Sequence, residues 1–178
     1  LSVNQLKIDG TATVKSFELS GNALSLTKSF EVSPTAASGS ALAVNVNLPL
    51  SLGADASLTV GGNGTVTFVG SSTNVITLGS YNLSVNVSNT ATLLENMALS
   101  GKGNLTFAAS TVSATSSVKF LAQSPSFSGK VEVGANDLVV LGFSTPNAFG
   151  TAEITVDNGG ALEPVSYTHL TLPTIYSV

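Results

Sequence analysis

"GGNGTVTFV", Gly61 to Val69, is echoed by "GKGNLTFAA", Gly101 to Ala109. Gly62, Gly64, Thr67 and Phe68 of the first line up with Gly101, Gly103, Thr106 and Phe107 of the second, 39 residues on. A glycine turn and a short alternating strand are thus written twice. In a coil stacked on copies of itself, each level meets the same packing problem as its neighbour. Similar turn-plus-strand text then recurs at a near-fixed period. The 39-residue interval reads as two coils of roughly 20 residues each.

The text around the echo has the same character. In "ALAVNVNL", Leu42, Val44, Val46 and Leu48 alternate with Ala43, Asn45 and Asn47; in "YNLSVNVS", Leu83, Val85 and Val87 alternate with Asn82, Ser84, Asn86 and Ser88. Val66 and Phe68, Leu105 and Phe107, Val131 and Val133, and Ile154 and Val156 repeat the pattern. Successive side chains on a strand point to opposite faces, so each segment buries one side and wets the other. Turn text separates the segments: Ser20-Gly21-Asn22, Gly61-Gly62-Asn63-Gly64, Gly134-Ala135-Asn136-Asp137 and Asp157-Asn158-Gly159-Gly160. "TATLLENMAL", from Thr90, is the one stretch with a helical look; it is short and Thr-rich and reads as strand and turn. Many short strands fit a sandwich, a barrel or a solenoid, and the echoed phrase favours the solenoid.

Composition sets the class. The 178 residues are enough for one domain with a real core. Hydrophobic residues make up 43% and charged residues only 9%, against about 25% charged in ordinary domains. A chain this apolar is not disordered, and no run of about 18 apolar residues offers a membrane span. Polar but uncharged surface on many short strands points to an extracellular β protein. The basic residues are six scattered lysines, and the net charge is −4. Nucleic acid and anionic membranes, which need a basic patch, are therefore not expected partners. The chain lacks cysteine, which excludes a disulfide framework and a thiolate zinc site. It begins at Leu1, and its one methionine is Met97. The expectation is an internal piece of a longer protein.

"FSGKVEVGANDLVVLGFSTPNAFGTAEITVDNGGALE", Phe127 to Glu163, resembles the autotransporter-associated β-strand repeat. Phe127-Ser128-Gly129 stands for its opening and Val131 and Val133 for its strand. Ala148-Phe149-Gly150 stands for its corner, and Gly159-Gly160-Ala161-Leu162 for its close. "GKGNLTF" is similar to the line that precedes that opening, while Lys130 and Val131 depart from its usual Gly-Thr. The resemblance implies an all-β, right-handed parallel β-helix, a single-stranded β-solenoid, displayed or secreted by a Gram-negative-type bacterium. At roughly 20–25 residues per coil, about seven coils would stack to near 35 Å. The solenoid is expected to fill residues 1–164. From Val165 the text changes: "VSYTHLTLPTIYSV" holds His169, the chain's one histidine, and resembles a translated sequencing adapter. Residues 165–178 are expected to be a non-native tail, with 166–178 adding nothing to the core; a genuine edge strand is the alternative.

Little of the chain points to chemistry. Apart from His169 there is no His, Cys or Arg, so Ser-His-Asp and Cys-His arrangements are missing. The ten acids, Asp9, Glu18, Glu31, Asp55, Glu95, Glu132, Asp137, Glu153, Asp157 and Glu163, are spread out. A retaining glycosidase pair must come within about 5.5 Å, and stacking could bring Glu132 to Glu153, roughly one coil apart. Two solvated strand residues are the simpler reading. "SGK" at Ser128–Lys130 lacks the phosphate-loop frame. "GGNG" reads as a turn needing positive φ rather than an anion nest. Asp137 and Asp157 read as turn residues, without the tandem calcium-binding nonapeptide. The N-x-[ST] triplets at Asn63, Asn82, Asn86 and Asn104 are expected by chance in such text. Of the phenylalanines, Phe17, Phe30, Phe68, Phe107, Phe120, Phe127, Phe143 and Phe149, most read as core and not as a sugar-stacking row.

The sequence therefore predicts a non-catalytic stalk for adhesion or scaffolding, with no catalytic, cofactor or metal residues. A host-surface molecule or glycan is the expected ligand class, and the coil ends are expected to associate end to end. A glycan-binding or glycan-cleaving β-helix is the alternative.

Overall fold

The computed structural model describes residues 1–10, 16–33, 41–87, 91–108, 117–135, 138–141 and 147–164. These residues hold strands and turns and no helix. The chain opens with β1 (Ser2–Ile8). Five turns follow. The first is β2 (Ser16–Ser20) and the long β3 (Leu24–Val32). The second is β4 (Leu42–Asn47), β5 (Leu50–Leu52) and β6 (Ala56–Val60). The third is β7 (Gly64–Phe68), β8 (Val75–Gly79) and β9 (Leu83–Val87). The fourth is β10 (Thr92–Glu95), β11 (Ala98–Gly101) and β12 (Leu105–Phe107). The fifth is β13 (Ser117–Phe120), β14 (Ser126–Phe127) and β15 (Lys130–Val133). A partial turn holds β16 (Leu138–Leu141) and β17 (Glu153–Val156), and β18 (Ala161–Pro164) begins another.

Each turn meets the next through parallel ladders on three walls. One wall stacks β2, β4, β7, β10, β13, β16 and β18 in chain order. The other two meet at β3, whose first half, Leu24–Leu26, pairs with β5 and whose second half, Ser29–Val32, pairs with β6. From there β5, β8, β11 and β14 build the second wall, and β6, β9, β12, β15 and β17 the third. The structure is thus an all-β parallel solenoid. It has five three-walled turns where about seven coils were expected; seven is the number of rungs on the first wall. Six steps of about 4.8 Å make that wall about 29 Å tall.

The pairing also corrects the period. Val44 meets Val66 after 22 residues, Phe30 meets Leu58 after 28, and Val118 meets Val139 after 21. The two echoed phrases are not stacked at all. "GTVTF" is β7 on the first wall, and "LTF" is β12 on the third. The register partner of Leu105-Thr106-Phe107 is Leu83-Ser84-Val85. The echo arises because a glycine corner followed by an alternating strand serves any wall, not because the two stretches occupy equivalent places.

The core is the set of inward columns this register creates. On the third wall Leu6, Phe30, Leu58, Val85, Phe107, Val133 and Val156 follow one another. Of the ten residues expected inside from alternation, nine are buried: Val66, Phe68, Leu83, Val85, Leu105, Phe107, Val131, Val133 and Ile154. Val156, near the end of the stack, is partly buried against them. Burying apolar area at roughly 25 cal/mol per Å² drives this packing, and edge-on ring pairs lock neighbouring turns. Phe107 meets Phe120 at 5.7 Å between centroids, and Phe120 meets Phe149 at 4.8 Å. "TATLLENMAL" forms β10, a tight corner and β11, as its Thr-rich text predicted. Its Thr90 lies outside the described residues, as do Asn136, Asp137, Phe143, His169 and the whole of 165–178.

Candidate functional site

The candidate acid pair does not form a stacked couple. The register sets Lys130 beside Glu153, their side chains 3.4 Å apart in an exposed ion pair, and sets Glu132 beside Thr155. Glu132 and Glu153 are therefore displaced by two residues along their strands, both solvent-exposed. Each is a solvent-exposed strand carboxylate, and the two do not face one another across a cleft as a paired acid and base would. Asp157 accepts the Gly160 N–H at 2.8 Å through its carbonyl, closing a turn in which Gly159 has φ 89°. "GGNG" is likewise a turn, with Gly62 at φ 58° and the Gly64 N–H donating to the Gly61 carbonyl at 3.1 Å. Among the described residues no three His, Cys, Asp or Glu side chains gather as a metal site would require. The phenylalanines divide as read: Phe30, Phe68, Phe107, Phe120, Phe127 and Phe149 are buried, while Phe17 on β2 is 42% exposed.

Two polar constructions escaped the sequence reading. The first is a ladder at the corner that leads into the third wall. Asp55 Oδ1 accepts the Asn82 backbone N–H at 2.8 Å, Asn82 Oδ1 accepts that of Asn104 at 3.0 Å, and Asn104 Oδ1 accepts that of Lys130 at 3.1 Å. Asn82 Nδ2 also donates to Asp55 Oδ2 at 3.3 Å. Each of these amides is thus satisfied by a side chain of the turn below it, just before the backbone ladder to that turn begins. Two of the four N-x-[ST] triplets are therefore ladder positions. The signal was legible as "DASL", "NLSV" and "NLTF" beginning at residues 55, 82 and 104.

The second is Glu95. It occupies an inward place on the first wall, in register with Phe68 on one side and Phe120 on the other. It is 3% exposed. Its Oε1 accepts the Met97 backbone N–H at 2.7 Å, which shapes the two-residue corner between β10 and β11. Desolvation raises the carboxyl well above its ordinary titration range, and the Met97 N–H offsets this only in part. Alternation carried the signal here too. Leu93 is buried, so two residues on Glu95 must face the same way.

Compared with protein families, with curated proteins and with solved structures, the chain matches none.

Proposed function

We propose that this chain is a stalk or scaffold segment of a secreted or surface-displayed bacterial protein of the autotransporter-passenger type. It serves adhesion or scaffolding and carries out no reaction itself. The observation that carries this reading is the continuity of parallel pairing from β1 to β18. A stack whose turns join by backbone ladders on three sides transmits load along its axis through many hydrogen bonds at once. Its outer faces support the reading. The second wall presents a register-aligned column of Ser2, Ser25, Ser51, Thr77, Ser100 and Ser126. Such uncharged hydroxyls suit long exposure to solvent without a large field of either sign. The likeness of Phe127–Glu163 to the autotransporter-associated repeat points to the cell surface, and a host-surface molecule or glycan is the ligand class.

Two measurements test this. In the first, the segment is placed between a signal peptide and an outer-membrane β-barrel, with a single cysteine introduced as Thr77→Cys. Intact cells should take up a membrane-impermeant maleimide; failure to label would remove the display reading. In the second, the purified chain is incubated with neutral and acidic polysaccharides. Release of new reducing ends or unsaturated products would remove the non-catalytic reading.

A further inference from the structure

An interior cavity of about 20 Å³ lies against Glu95. The other side chains lining it are Leu, Ile, Val and Phe from the three walls, among them Leu26, Phe30, Leu99 and Leu105. None of them can pair with a carboxylate. No titratable or charged group among the described residues faces Glu95 from any of the strands packed around it. On the same wall, Lys119 aligns with Leu94 and points outward, exposed. Lys102, beyond β11, is exposed at a corner. Among the described residues, the hydrogen bond that holds the carboxyl is the Met97 N–H on Oε1. A charged carboxylate held this way would be stripped of water with no counter-ion among the described residues to replace it, an unfavourable arrangement.

We propose that Glu95 is a proton-operated latch at the β10–β11 corner: carrying its proton, it seals the turn against the core, and on losing that proton to solvent it loosens the corner. Closed, the neutral acid fills its place between Phe68 and Phe120 and keeps Met97 and Leu99, both buried, against the columns of the second wall. Open, the carboxylate turns toward water. Because it is bonded to the backbone two residues on, it takes the corner with it. The direction follows from proton binding. The folded chain holds this proton more tightly than the unfolded chain does, so it binds more protons over the pH range between the two titrations. Stability from this group is full below the ordinary carboxylate range and falls as pH rises toward the folded titration. The latch thus favours mildly acidic surroundings, the reverse of what a salt-bridged carboxylate does.

The test is equilibrium unfolding in urea of the whole chain at constant ionic strength, from pH 4.5 to pH 9. Wild type is compared with Glu95→Gln, which keeps the shape and the Oε1 acceptor but cannot ionise, and with the exposed control Glu132→Gln. The wild-type and Glu132→Gln midpoints should fall together as pH rises, while the Glu95→Gln midpoint stays level by comparison. Parallel profiles for all three would overturn the proposal. A second measurement needs no variant. Glutamate labelled with ¹³C at Cδ gives six carboxyl resonances, of which one should titrate well above the rest. Amide exchange at Met97 and Leu99 should accelerate over the same pH range. Six resonances titrating together in the ordinary range, or corner amides indifferent to the titration, would each refute the latch.

Discussion

Replacing Gly103 by alanine tests the stacking directly. Gly103 sits at the corner before β12, above Tyr81 of the turn below, and it is buried. A Cβ there would overlap the Tyr81 carbonyl oxygen and lie 2.6 Å from its carbonyl carbon, both rigid backbone atoms. The turns would have to part locally by a large fraction of an ångström or more. Three N–H groups of that corner are held by acceptors of the turn below. The Lys102 and Gly103 N–H groups donate to the Gly79 carbonyl at 2.6 and 3.0 Å, and the Asn104 N–H donates to Asn82 Oδ1 at 3.0 Å. At about 1 kcal/mol each their loss costs about 3 kcal/mol, and the reduced freedom of the unfolded chain returns about 0.5–1. The net is about 2 kcal/mol, a fall in Tm of roughly 4–8 °C for a chain of this size. Gly53, at the same corner two turns down, is the control. A Cβ there meets side-chain ends, Thr27 Cγ2 at 3.0 Å and Ser25 Oγ at 3.1 Å, which can turn aside. Gly53→Ala should stay within about 0.5 kcal/mol of wild type. Thermal unfolding followed by circular dichroism measures both. Equal costs for the two, or no cost at Gly103, would show that backbone contact between turns is not what the glycine serves.

Three further changes probe the columns and the ladder. Phe120→Ala removes a ring 3% exposed and edge-on to both Phe107 and Phe149; it should cost about 3–5 kcal/mol in urea unfolding. Asn82→Ala deprives Asn104 of its acceptor and Asp55 of a donor, and should cost about 1–2 kcal/mol; Asn82→Asp keeps the acceptor but sets a second carboxylate against Asp55 Oδ2, so it should recover the loss only at pH low enough to protonate one of the two. Lys130→Asn extends the ladder by one rung toward Glu153 at the expense of an exposed ion pair worth about 0–1 kcal/mol; its urea midpoint should equal or exceed that of wild type, and a clear fall would show that the ladder ends at Asn104 for a reason other than its sequence.

The amino-acid order alone specified β strands over the described residues and which side of each strand is wet. Alternation is a local property: with period 2, Leu83, Val85 and Val87 must share a face wherever the strand goes. It determined the turns as well, since Gly62 and Gly159 stand where φ is positive. It could not determine which strand lies on which. Turns here advance by anything from 21 to 28 residues, because corners absorb insertions without disturbing the ladders. A repeated phrase therefore gave no true period, and "GGNGTVTF" and "GKGNLTF" came to rest on different walls. What depends on register was decided only in three dimensions. Glu153 meets Lys130 and not Glu132, Asn82 reaches Asn104, and Glu95, one acid among ten in the text, becomes the carboxyl closed between two phenylalanine rings. Each of these contacts joins residues more than 20 positions apart, and stacking alone brings them within hydrogen-bonding or packing distance.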